Sequence, residues 1–339
     1  MNIISRSNRM QLTFALVLSV ACSFPLSGDT ASGETRSDVL LPALSFFLPG
    51  IGQAAYGEYG PMATYTGAWL GGGLMAAQAA EKIKDRKEDE DADSDLNSRD
   101  NDVRRAMLGN QIAMASGSFS LFDTFRNASD GRREDGQYAF LATRERTKDV
   151  LLAPFRFDYL SRPTTLVPLG IISALAVYIA NSDQRTIERV ALRGSDYAFG
   201  ASFSYLAGTH EEALFRGWLM PVLTEYVSAD TTANVVQSVL FAAAHLGSTP
   251  LPLPQLLLGW HLGYVTLQND WSLGEAAFIH TWWDVVAFLG IQFAIRSKEA
   301  EDETKKGFMN RGDSARGRQE FSAMLRQFPL MLPPVSISF

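Results

Sequence analysis

Apolar residues in this chain come in long runs, and charged residues come in blocks between them. Three polar blocks, 81–105, 126–162 and 296–326, separate stretches rich in Leu, Ala, Phe, Gly and Trp. Runs of this length predict helices rather than strands. Six are expected in the second half of the chain, over 164–180, 195–210, 212–227, 231–247, 254–268 and 271–295. Gly194, Gly208, the Pro250-Leu251-Pro252-Leu253-Pro254 stretch and Asn269-Asp270 mark the breaks between them. In the first half, 61–80 is long enough to span a bilayer, and its Gly71-Gly72-Gly73 permits a close neighbour. Residues 106–125 form a further candidate span, weakened by Asn110, Gln111 and Asp123. Residues 39–57, interrupted by Pro42, Pro49, Gly50 and Gly52, read as a kinked or hairpin-like segment. No internal repeat is visible.

This segregation predicts an all-α fold, a polytopic transmembrane helical bundle with charged loops and the lipid bilayer as a partner. Residues 1–28 read as a signal peptide or N-terminal anchor, and 39–125 as membrane helices of unassigned role with a possible membrane partner. A polar, basic linker follows over 126–162, then a membrane core over 163–296 and a polar tail over 297–339. Six core helices would put both flanking basic blocks on one side, which positive-inside bias assigns to the cytoplasm. The loop 181–193, with Arg185, Arg189 and Arg193, conflicts mildly with that assignment.

Composition narrows the function classes. The apolar fraction of 46% is ordinary, so the distribution carries the membrane reading, not the total. A net charge of −7 and the absence of a basic stripe argue against nucleic acid as a partner. The single cysteine, Cys22, excludes an internal disulfide framework or a cysteine metal cluster. It lies in a leader where Arg6 and Arg9 precede an apolar run from Leu12 to Phe24, with Gly28, Ala31 and Gly33 after it. That leader suits a bacterial envelope protein, as a cleaved signal or an uncleaved anchor, and Cys22 fits a lipoprotein site poorly.

All four histidines fall between His210 and His280, in the apolar half. Ionisable groups in membrane-like sequence are expensive, so they point to function. Glu212 and Arg216 are four apart, share a helical face and can pair. Glu211 points about 100° away, and two adjacent carboxylates in different surroundings can take different roles. The plainer reading of this pair is an ion pair at a helix end. His245 follows three alanines, with Phe241 one turn before it, and His280 and Asp284 again share a face. Trp282 and Trp283 point elsewhere, and His261 has no charged partner at helical spacing, so it reads as structural. A carboxylate base, a histidine beside it and a His/Asp pair opposite would suffice to activate water and stabilise an oxyanion.

The order and spacing of Glu211-Glu212-x-x-x-Arg216, Phe241-x-x-x-His245 and His280-x-x-x-Asp284 resemble the CPBP family. This is the family of CAAX prenyl endopeptidases and bacteriocin-processing proteins, also called Abi, which are intramembrane glutamic proteases. The resemblance covers roughly 164–295. It implies a metal-independent, cofactor-free endopeptidase of the membrane, multi-pass in a bacterial inner membrane, acting on a peptide or membrane-protein substrate. It implies that Glu211 activates the attacking water with His245, that Glu212 is tied to Arg216, and that His280 and residue 284 form the oxyanion hole. The family's third motif often ends in Asn. Asp284 departs from it, and must be protonated or act by orienting His280.

Two other readings compete. His245, His280 and Asp284 could hold zinc with Glu211 as base, although no His-Glu-x-x-His spacing is present. Alternatively the chain is a non-catalytic membrane scaffold or bacteriocin-immunity-type protein that keeps the site for packing.

Overall fold

The computed structural model describes residues 38–88, 101–141, 144–182, 193–246 and 252–306. The leader with Cys22, residues 89–100, 183–192 and 247–251, and the tail from 307 lie outside the described residues. All the elements are helical. Two short helices, α1 (Leu40–Phe47) and α2 (Ile51–Ala55), precede the long α3 (Tyr59–Glu88) and α4 (Asn101–Arg132). The short α5 (Thr147–Leu152) and two 3-10 turns, Ala153–Phe155 and Phe157–Ser161, lead into α6 (Pro163–Ser182). Then come α7 (Gly194–Leu214), a π turn (Phe215–Leu219), α8 (Met220–Val227), α9 (Asp230–Ala244), α10 (Leu253–Gln268) and α11 (Gly274–Lys306).

Two expected helices, 195–210 and 212–227, are one helical run from Gly194 to Val227, broken only by the π turn. The anticipated break at Gly208 is a contact instead. A Cβ there would lie 2.6 Å from both N and Oγ1 of Thr281 on α11. The missing side chain therefore brings two helix backbones together rather than ending one. The run stops at Ser228, whose φ of 51° reverses the chain before α9.

Among the described residues no helix is long and apolar enough to cross a membrane. The helices α3 and α11 have the length, at 30 and 33 residues, but each ends in a charged stretch. The outer face of α6 is nonetheless apolar, with Leu166, Val167, Ile171, Leu175 and Val177 exposed along it.

The N-terminal helices share a core with the rest of the chain. Leu121 and Phe125 of α4 and Phe46 of α1 pack in one cluster with Phe215, Trp218, Leu219 and Phe241. Helices α3 and α4 touch through glycine, since a Cβ on Gly72 would lie 2.6 Å from the Gly109 carbonyl oxygen. The hairpin of α1 and α2 docks on α4 by buried polar contacts. Gly50 N donates to Ser120 Oγ at 2.8 Å, and Gln53 Nε2 donates to the Ser120 carbonyl at 2.9 Å. Helix α4 then reaches α7 through the ion pair of Arg104 with Asp196, at 2.5 Å.

The polar segment after residue 143 straps the start of α11. Glu145 accepts from Leu273 N at 2.8 Å and from Ser272 Oγ at 2.5 Å, meeting donors that the helix start leaves open. Buried Glu275 is held by Arg162 at 2.5 Å and by Thr165 and Asn269 at 3.0 Å each. Trp282 Nε1 donates to the Pro154 carbonyl at 3.0 Å. The ring of Tyr159 packs on Phe278, and burial pushes its phenol pKa up. Each contact fixes the rotation of α11, and with it the direction in which His280 points.

Candidate active site

Three separate pieces of chain supply the site. Glu211 and Glu212 come from the last turn of α7, His245 caps α9, and His280 and Asp284 come from α11. The π turn begins just after the acid pair. Such turns are rare and concentrate at functional sites, because one extra residue re-aims the side chains around it.

Glu212 and Arg216 are fully buried, and Arg216 Nη1 donates to Glu212 Oε1 at 2.8 Å. The pair stands near the end of α7, as the plainer reading has it, and is shut away from solvent. Two fully buried charges need further partners. Arg216 Nη2 finds the Gly259 carbonyl at 2.8 Å, and the guanidinium carbon lies 4.6 Å from the centre of the Phe241 ring. Glu212 Oε1 also meets His280 Nδ1 at 2.7 Å. Glu212 thus fixes which imidazole nitrogen is left for the site.

That nitrogen, His280 Nε2, is 3.8 Å from Glu211 Oε2. His245 Nε2 lies 3.9 Å from the same carboxylate oxygen. Its other nitrogen, Nδ1, is bonded to the Phe241 carbonyl at 2.8 Å. A carbonyl can only accept, so Nδ1 carries the hydrogen, and in the neutral ring Nε2 presents a lone pair. Glu211 Oε2 is buried and has no hydrogen-bond partner among the described residues. One carboxylate oxygen therefore faces two imidazole nitrogens across gaps too long for direct hydrogen bonds, and a water molecule can bridge such gaps. Asp284 stands at the rim, 24% exposed, with Oδ2 3.7 Å from His280 Nε2. Phe241 packs against both imidazoles, with ring centres 4.7 Å from His245 and 5.7 Å from His280.

All six sequence candidates, Glu211, Glu212, Arg216, His245, His280 and Asp284, thus gather in one place. His261 does not join them, and its Nε2 bonds the Thr164 carbonyl at 2.8 Å. His210 turns to α4, where Gln111 Oε1 and Ser118 Oγ lie 2.9 and 3.2 Å from its ring nitrogens. Sequence reasoning missed Gly259. Its carbonyl anchors Arg216, and a Cβ on it would lie 3.4 Å from Arg216 Nη2. The signal was the Gly259-Trp260-His261-Leu262-Gly263 spacing, which marks a close helix contact. Among the described residues no group of three or more His, Cys, Asp or Glu side chains is arranged to hold a metal ion.

Residues 194–286 match the family model described as type II CAAX prenyl endopeptidase Rce1-like. The matched stretch runs from the start of α7 into α11, and what it shows is a similarity to that family. It covers less than half of the chain and less than the 164–295 resemblance, leaving α1–α6 outside. No curated protein and no solved structure gave a match to the chain.

Proposed function

We propose that this chain is an intramembrane endopeptidase in which a glutamate-activated water cleaves a peptide bond. One observation carries the reading, the convergence of Glu211 Oε2 with His245 Nε2 and His280 Nε2 at 3.9 and 3.8 Å. Water held by Glu211 and His245 loses its proton to that pair as it attacks the scissile carbonyl. The carbonyl oxygen becomes an oxyanion beside His280, whose Nε2–H stabilises it. With Nδ1 already donating to Glu212, this requires the imidazolium form, and Glu212 and Asp284 supply its counter-charge. Asp284 therefore acts on His280 and not on the oxyanion. The proton taken up at Glu211 passes to the leaving amine. No metal or cofactor takes part.

Membrane embedding is supported by the exposed apolar face of α6 and by the domain matched, whose family members are membrane proteases. We place the chain in a bacterial inner membrane as a multi-pass protein, with a peptide or membrane protein as substrate. Residues 163–296 form its protease core in this reading. The N-terminal helices brace that core and offer a surface to a membrane partner. A comparison of membrane peptide profiles from cells carrying wild-type protein or Glu211→Ala tests the reading. Uncleaved substrate accumulates in the variant, whereas matching profiles at equal protein abundance reject proteolysis.

A further inference from the structure

The hydrogen bonds of the site run on past Arg216. The Gly259 carbonyl that accepts from Arg216 Nη2 also accepts from Gln237 Nε2, at 3.1 Å. Gln237 is fully buried on α9. Its amide nitrogen also lies 2.8 Å from Asn234 Oδ1 and 3.0 Å from Ser238 Oγ, so its two hydrogens are shared among three acceptors. Asn234 Nδ2 donates in turn to the Trp260 carbonyl at 3.1 Å. Helices α9 and α10 are thus joined by two side-chain amides that grip two successive backbone carbonyls. Gly263 lets them close, since a Cβ there would lie 1.9 Å from Asn234 Oδ1.

We infer that Gln237 is a positioning residue for His280, acting through the Gly259 carbonyl, Arg216 and Glu212. A backbone carbonyl has two lone pairs, and here Gln237 and Arg216 take one each. The guanidinium is a rigid fork, so fixing Nη2 on Gly259 fixes Nη1 on Glu212. Glu212 Oε1 then holds His280 Nδ1 at 2.7 Å, and His280 Nε2 faces Glu211. The chain of contacts starts on α9, one turn before Phe241 and two before His245. One buried amide therefore sets the distance of α10 from α9 and the direction of an imidazole on α11. The consequence for catalysis rests on the proteolytic reading, but the linkage is a matter of geometry and is tested without a substrate.

Four histidines make the test tractable. The full chain, labelled with 15N-histidine in lipid nanodiscs, gives ring-nitrogen signals that His280→Gln assigns to His280 by their loss. Gln237→Met keeps the size of the side chain and removes the donor. Gln237→Asn keeps an amide that falls short of Gly259. Both variants are expected to shift and broaden the His280 signals while those of His210, bonded to α4, stay in place. Unmoved His280 signals in a folded variant overturn the inference. So does collapse of all four histidine signals in both variants, which would make Gln237 a requirement of the fold and not a positioning residue. Failure of proteolysis shows in the Glu211→Ala peptide profile and leaves this readout unaffected.

Discussion

Glu212 and His280, 68 residues apart in the chain, are joined by a hydrogen bond of 2.7 Å between Oε1 and Nδ1. The contact exists because Gly208, one turn before Glu212, lies against Thr281, the neighbour of His280. The glycine that brings two backbones together also sets the distance between the carboxylate and the imidazole.

Gly208→Leu separates α7 from α11. Overpacking at a tight contact costs about 1–3 kcal/mol. The displacement also moves Glu211 from His280, so cleavage should fall by more than the loss of folded protein explains. Thermal unfolding and cleavage rate, measured on the same preparation, check this.

Removing one member of a buried ion pair leaves the other uncompensated. Arg216→Met should cost about 3–5 kcal/mol, read as a large fall in unfolding temperature or as absence of folded protein. Arg216→Lys retains the charge but not the fork, and an ammonium cannot reproduce the two-pronged grip on Glu212 and Gly259. It should fold better than Arg216→Met and still cleave poorly.

Much of this site is legible in the sequence. The spacing of Glu212 and Arg216, and the histidines stranded among apolar residues, name every ionisable member. The sequence cannot say which oxygen faces which nitrogen, because that depends on how far helices approach, and a glycine reads equally as a break or a contact. Gly208 reads as a break and proves to be a contact. Gly259 is missed for another reason, since its spacing from Gly263 marks only a close helix contact, while its role is carried by a backbone carbonyl, which all residues share. Local pattern locates the helices well, as α10 at Leu253–Gln268 against the expected 254–268 shows. The π turn after Leu214 has no local signal at all.

Asp284 stands 3.7 Å from His280 Nε2, outside hydrogen-bond reach and at the solvent rim. A neutral amide at that position could donate to the oxyanion directly. Asp284→Asn is therefore expected to keep cleavage within about tenfold of wild type, and Asp284→Leu to lose more. A collapse of activity in the asparagine variant alone would show that the carboxylate charge is essential. Single-turnover rates of the two variants decide the point.

His245 is held by a hydrogen bond to the backbone one turn before it. His245→Ala should reduce cleavage by about 10²–10⁴-fold, the range for loss of one acid–base partner. The fold should suffer little, since His245 caps α9 and is partly exposed. Circular dichroism and cleavage rate, taken together, check the separation.

The account turns on a water molecule that Glu211 activates, and oxygen isotope labelling follows that water whatever the substrate is. Membranes from cells lacking the chain are incubated with purified protein in H₂¹⁸O, and newly formed peptide C-termini are examined by mass spectrometry. Wild-type protein should produce C-termini carrying one ¹⁸O, and Glu211→Ala should produce none. No labelled ends with wild-type protein, or equal labelling with the variant, would contradict the assignment of this site to peptide-bond hydrolysis.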